Sequence, residues 1–304
     1  MVDVKSIKHL VKCALGVMRR RSAKRIAAAR EGLTVFTFHE VCDQPSPFLL
    51  MNGLSTPRHL FQKQIDWIAS RYNVVDPTHL DREDLPSNAA LITFDDGWAG
   101  ACEFALPYLN ERELHSLMFL NMGFVLDQYL LPPLMNYHQE CRLGMINATA
   151  ADGYLSITPG VFEESGYARR VVEDPRFAQY QGRAATQASL MQLDTSEYVH
   201  WGNHLYQHWN AAILTPSEFS FEVARNTEAM FFLKSVLPYF SIPHGRMDIC
   251  FSQSHAELLN DLGYSKIFSN MGSLNRHVNT HILDRINISS QVSNAMVFDY
   301  VALN

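Results

Sequence analysis

Leu91-Ile92-Thr93-Phe94-Asp95-Asp96-Gly97 sets a short apolar, β-prone run against two adjacent carboxylates and a glycine. Neighbouring side chains on an extended strand point to opposite faces. Two aspartates therefore enter one site only where the strand ends and the backbone turns, and Gly97 permits such a turn. Adjacent carboxylates repel unless something separates their roles. A metal ion does so, with one aspartate as ligand and the other as base. The same residues also suit a solvated strand-to-loop turn, because Asp and Gly are ordinary turn residues.

His204-Leu205-Tyr206-Gln207-His208 bears on that choice. Histidines four apart share one face of a helix, with Cβ atoms about 5–6 Å apart, a spacing that suits two imidazoles on one ion. Three pairs have it: His200/His204, His204/His208 and His277/His281. Context favours the middle pair. Gly202-Asn203 makes a turn before it, and Thr215-Pro216-Ser217-Glu218 opens a helix after it. One Asp and two His leave positions on an ion for water and substrate, as in a catalytic rather than a structural site.

With these two motifs in place, the chain resembles the polysaccharide deacetylases, the NodB-homology carbohydrate esterases, over roughly residues 33–290. Thr93 to Gly97 matches the family's Thr-Phe-Asp-Asp-Gly without a change, and Gly202 to His208 is similar to its His-(Ser/Thr)-x-x-His motif, with Leu205 in place of the hydroxyl residue. The resemblance implies Asp95 as general base and Asp96, His204 and His208 as metal ligands. The third motif departs from Arg-x-Pro-Tyr-Gly. Phe240-Ser241-Ile242-Pro243-His244-Gly245 is closer to a Phe-x-Tyr-Pro-x-Gly subset, and Ser241 stands where the arginine would be. Pro243, His244 and Gly245 are then the candidates for substrate and oxyanion contacts, and Arg285 is a further candidate for orienting Asp95. The C-terminal Leu-x-x-His that supplies the acid is not recognisable. Thr34-Val-Phe-Thr-Phe-His39-Glu-Val instead resembles the opening of a permuted subgroup that includes poly-N-acetylglucosamine deacetylases. This assigns the acid role to His39; the other reading is a histidine satisfied at a strand end.

Apolar strands alternate with helical patterns along the body. Leu33–Phe38, Asn73–Val75, Ala90–Phe94, Ser116–Leu120, Val199–Trp201, Tyr239–Ile242 and Lys266–Ser269 read as strands. Helices are expected from a Thr56-Pro57 cap through Tyr72, near Ala99–Arg112, from Ser217, and over Gln253–Leu262. Such alternation, with chemistry at strand C-termini, argues for a parallel α/β barrel, and the resemblance implies a distorted (β/α)7 barrel. The pattern lapses over about 126–194, where Leu130-Leu-Pro-Pro-Leu, Tyr137, Tyr154 and Tyr180 suggest a mainly helical insertion beside the pocket. Its aromatics either stack on sugar rings or form the core of the insertion.

Charge is divided unevenly. Residues 1–30 carry nine of the 25 Lys/Arg and one of the 31 acids, leaving 16 basic and 30 acidic residues, net −14, in 31–304. Ile7, Leu10, Val11, Leu15 and Met18 give the N-terminal segment an amphipathic period. A basic helix there either lies on an anionic membrane surface or docks on the acidic body. Lys8 and Lys12 interrupt the apolar run, against a signal peptide. A pI near 6.1 without a reading motif argues against nucleic-acid binding. Five scattered cysteines without CxxC fit a reducing, cytoplasmic setting, and no apolar run is long enough for a membrane span.

The expected function is metal-dependent removal of an N-acyl group, acetyl or formyl, from an amino sugar of a polysaccharide or surface-glycan precursor. The expected ion is divalent: Zn²⁺, with Co²⁺ or Ni²⁺ as alternatives given the N/O ligands. Two other readings stand beside it: hydrolysis of another non-peptide C–N bond, and a non-catalytic carbohydrate-binding descendant. A binding module would have no need of Asp95.

Overall fold

The structure, a computed structural model, describes residues 32–81, 85–141, 158–159 and 171–288. The basic segment 1–30, Tyr154 and much of the middle of the 126–194 insertion lie outside the described residues. No helix among the described residues is long and apolar enough to cross a membrane.

In chain order the strands are β1 (Leu33–Phe38), β2 (Glu40–Val41), β3 (Ser55–Thr56), β4 (Asn73–Val74), β5 (Ala89–Asp96), β6 (Ser116–Leu120), β7 (Val199–Asn203), β8 (Val236–Ser241), β9 (Lys266–Phe268), β10 (Ile282–Leu283) and β11 (Ile286–Asn287). One all-parallel sheet runs β10-β9-β8-β7-β6-β5-β1-β11, with β4 beside the start of β5; β2 and β3 pair separately. The segment 282–287 pairs first with β9 and then with β1, so the sheet curls until its two ends share one stretch of chain. The result is the distorted barrel expected from the sequence. β1, β5 and β6 are buried from end to end because helices cover one face and the lumen fills the other, which is why they read as continuous apolar runs.

The lumen is packed by Leu33, Val35, Leu91, Leu117, Phe119, Tyr239, Phe268 and Leu283. Gly202, expected in a turn, is instead an interior position of β7. A Cβ there would sit 2.5 Å from the Phe119 ring and 3.0 Å from the Tyr239 carbonyl. Phe119 is fully buried against Phe268 and has nowhere to move. Gly202→Ala is expected to cost about 1–3 kcal/mol of stability by overpacking. Urea unfolding checks this, and an unchanged midpoint would remove the steric account.

Two helix starts show how local sequence sets element ends. Pro216–Ala229 opens with a Thr215/Glu218 capping box, as Thr-Pro-Ser-Glu suggests. Arg58–Ala69 has no side-chain cap, because Thr56 is committed to β3 and Pro57 occupies the cap position.

Glu40 is a buried carboxyl that accepts from the Val41 and Gly100 amides. Burial pushes its pKa up from 4.5 to about 7, against the pull of those hydrogen bonds. A carboxyl raised on folding favours the native state most below its unfolded pKa, and that contribution is lost as pH rises through the folded value. The difference amounts to about 3 kcal/mol. Glu40→Gln should therefore gain on wild type between about pH 4.5 and 8, by up to that amount. The amide also alters one backbone contact, which adds a constant offset but no slope. A stability difference flat across the range would contradict the assignment.

Candidate active site

Register lines the C-terminal ends of the strands into one rim. Phe38 pairs with Phe94, so His39 and Asp95 leave β1 and β5 side by side. Asp96 pairs with Leu120, and Leu120 with Asn203, which puts His204 in the same row. The Thr37 and Thr93 hydroxyls, 2.8 Å apart, tie β1 to β5 just below the rim.

The turn that aims both aspartates inward begins one residue earlier than expected. Asp96 itself has φ +76°, followed by Gly97 at +95°. A non-glycine residue there costs on the order of 1–3 kcal/mol and persists only when its surroundings enforce it. Trp98 Nε1 donates to Asp96 Oδ2 at 2.8 Å and helps to do so. Asp96 Oδ1 is buried and has no hydrogen-bond partner. It lies 3.5 Å from His204 Nε2 and 3.5 Å from His208 Nε2.

The two histidines do not share a helix face. β7 ends at Asn203, and the following residues form an irregular loop in which Leu205 has φ +65°. Buried amides hold this loop. Asn121 donates to the carbonyls of His204 and Leu205. Asn203 Oδ1 accepts from the Leu205 amide and from Asn226, which also reaches the Leu120 carbonyl. The Gln207 amide donates to Glu222. Leu205, in the place of a hydroxyl residue, is fully buried in apolar surroundings. None of Asn121, Asn226 or Glu222 stood out in the sequence, because each acts through a partner distant in the chain.

His204 Nδ1 donates to the Ser241 carbonyl at 2.7 Å, leaving Nε2 toward the carboxylates. That bond fixes the ring and its tautomer, as a hydrogen bond on the far nitrogen does for metal-binding histidines. Burial alone would raise the Asp96 pKa, but His204 and His208 outweigh it and hold the carboxyl well below its usual range. Burial pushes His208 down to about 4, against the pull of Asp96, and a neutral imidazole is the form that binds a metal. A buried carboxylate oxygen without a donor, between two imidazole nitrogens, fits a divalent cation.

Asp95 is engaged differently. Arg285 donates to it through both terminal nitrogens, Nη1 to Oδ1 at 2.7 Å and Nη2 to Oδ2 at 2.8 Å, while its Nε donates to the Ser269 carbonyl. Arg285 sits between β10 and β11, at the seam of the barrel, and is 1% exposed. Burial opposes ionisation of Asp95, but the guanidinium and His204 prevail and its pKa falls. The guanidinium thus reaches Asp95 from the segment that joins β10 to β11. Position 241, where the third motif usually has its arginine, contributes only a backbone carbonyl.

His39, Asp95, Asp96, His204, His208, His244 and Arg285 line one open cavity of about 240 Å³. The His244 ring stands 4.5 Å from that of His208, nearly perpendicular, and burial keeps it well below its usual pKa. His244 and Gly245 both have positive φ, +63° and +66°, and a side chain at Gly245 would strike Asn270. Phe48, Trp98, Leu130, Pro132 and Pro133 form the apolar side of the cavity. Leu130, Pro132 and Pro133 come from the 126–194 segment. Tyr137 and Tyr180 from the same segment pack on each other, 5.2 Å between centroids, and bond Asp174 and Glu140, so they form core rather than a sugar platform. His281 Nδ1 donates to the Ser265 carbonyl, before β9, and His281 does not line the cavity.

The profile of the polysaccharide deacetylase family matches residues 82–267. No curated protein matches the chain by sequence. Among solved structures, IcaB from Ammonifex degensii is 19% identical with a TM-score of 0.59, over 88% of this chain and 97% of that one. The Streptococcus pyogenes deacetylase PplD, solved with acetate, is 14% identical with a TM-score of 0.58, over 85% and 93%. A de-N-acetylase from Aggregatibacter actinomycetemcomitans is 12% identical with a TM-score of 0.59, over 88% and 99%. At such identities the likeness bears on the fold, and it agrees with the curled parallel sheet. The profile covers well over half of the chain and both motifs on the rim, so the chain belongs to the polysaccharide deacetylase family, hydrolases that act on carbon–nitrogen bonds.

Proposed function

We propose that this polysaccharide deacetylase removes an N-acetyl group from an amino sugar of a polysaccharide or surface-glycan precursor, and that it does so with a divalent ion, Zn²⁺ ahead of Co²⁺ or Ni²⁺. The observation that carries the reading is Asp96 Oδ1, buried without a donor and 3.5 Å from two imidazole nitrogens, next to an arginine-clamped second aspartate. Asp96, His204 and His208 would hold the ion, whose chemistry is to acidify bound water and polarise the acyl carbonyl.

The chain's own residues divide the remaining work. Asp95 keeps lone pairs beyond those taken by Arg285 and accepts the proton of the attacking water. Arg285 fixes the carboxylate plane and keeps it ionised. The turn at His244 and Gly245 presents backbone amide to the developing oxyanion. His39, beside Asp95 on the neighbouring strand, delivers a proton to the departing nitrogen as the C–N bond breaks. The products are acetate and a free amino sugar.

The test is acetate release from N-acetylated glucosamine oligomers by the purified enzyme. Chelation is expected to reduce release to background, and Zn²⁺, Co²⁺ or Ni²⁺ to restore it in wild type but not in Asp96→Asn. Full activity after chelation would end the metal-dependent reading. Release of formate from a formamido sugar, with no acetate from the oligomers, would reassign the acyl group.

A further inference from the structure

We infer a second divalent-cation site, formed by Asp76, His115 and His200 at the opposite end of the barrel from the catalytic rim. His200 is the second residue of β7, and His115 precedes the first residue of β6. Asp76 follows β4 and caps the short helix Pro77–His79 by accepting from the Thr78 amide. β4 pairs with the first residues of β5, so Asp76, just past β4, meets His115 and His200 at the end of the sheet where β5, β6 and β7 begin. His200 lies near the start of β7 and His204 just past its end, roughly 13 Å apart for extended chain, so the two sites do not share ligands.

Asp76 Oδ1 lies 3.6 Å from His200 Nε2 and 4.0 Å from His115 Nδ1. The three donor atoms fall within 4.8 Å of one another, as those of Asp96, His204 and His208 do. Bonds of about 2.0–2.1 Å to a tetrahedral ion set ligand atoms roughly 3.3 Å apart, so the 3.6 Å and 4.0 Å separations would close by roughly 0.3 and 0.7 Å. The separations are too long for hydrogen bonds. Both imidazole nitrogens are in fact buried without a hydrogen-bond partner, and His200 is only 8% exposed. Native interiors seldom leave such nitrogens unsatisfied.

The surroundings suit ligation. The His200 ring is held by a hydrogen bond to the Glu197 backbone, and the His115 and His200 rings stack 5.8 Å apart. Burial keeps both imidazoles below their usual pKa, hence neutral. His79 Nε2 lies 3.9 Å from the other carboxylate oxygen, Asp76 Oδ2, on the solvent side. Two nitrogens and a carboxylate oxygen select a first-row transition ion rather than Ca²⁺ or Mg²⁺. An ion there would staple the Asp76 loop to β6 and β7. In barrels of this kind the N-terminal face serves stability rather than chemistry.

Metal content of the full-length, tag-free protein tests this after saturation with Zn²⁺ and removal of excess. Wild type should carry two equivalents, Asp96→Asn one, His115→Gln one, and the double variant none. The single equivalent of Asp96→Asn should raise its melting temperature relative to the apo form, and Co²⁺ in its place should give visible bands of a four-coordinate ion. These readouts do not depend on the catalytic reading, because Asp96→Asn removes that site. No metal in Asp96→Asn, with no cobalt bands, would overturn the proposal and leave ordered water as the partner of the two nitrogens. An equivalent that persists in the double variant would also overturn it.

Discussion

Asp95→Asn is expected to lower kcat/KM for acetate release by about 10²–10⁴-fold, the usual contribution of a positioned general base. The substitution keeps the side-chain shape and one acceptor for Arg285, whose Nε remains bonded to the Ser269 carbonyl. What it removes is the only proton acceptor of the pair not facing both imidazoles, since Asp96 Oδ1 lies between His204 and His208. The residual rate should also lose the acid limb of its pH profile, because no aspartate then titrates as base. Metal content should stay that of wild type. Activity within tenfold of wild type would exclude Asp95 from the base role, and loss of metal would place it among the ligands instead.

Arg285→Met is expected to be the most damaging substitution for stability, about 3–5 kcal/mol at neutral pH, because it strands a buried carboxylate. Asp95 is 3% exposed, and both of its oxygens accept from the guanidinium. In wild type the Asp95 pKa is held below its ordinary value. A carboxyl depressed on folding stabilises the native state above its unfolded pKa, and this is lost as pH falls through the folded value. Without Arg285, burial dominates and the sign reverses: the native state then prefers the protonated acid. The gap between wild type and Arg285→Met should thus narrow toward about pH 4 and widen toward neutrality. The activity of the variant should shift its acid limb to higher pH. Arg285→Lys should recover the charge but not the paired geometry, since an ammonium lacks the planar fork. Equal gaps at acid and neutral pH would show that Arg285 acts through packing on Phe119 rather than through Asp95.

Much of the barrel and one half of the site were legible because they are written locally. An eight-residue buried strand delivering Asp95 and Asp96 is visible as an apolar run ending in Asp-Asp-Gly. The Thr215 cap and the strands β1 and β6 are similarly local. The His204/His208 pair was found for a reason that does not hold in the structure. The spacing suggests a helix, yet Asn121, Asn203 and Asn226 hold the loop from three separate elements. Short pairings such as β10 and β11, two residues each, carry no period to read.

A parallel α/β fold and the residue types at its rim can be read from consecutive residues, because burial on both faces and turn chemistry are local properties. The clamp of Arg285 on Asp95 across 190 positions of chain, the packing of Tyr137 against Tyr180 and the convergence of Asp76, His115 and His200 come from the folded chain. Those contacts depend on strand register around a curled sheet, and register is fixed by the packing of the whole lumen rather than by any one segment.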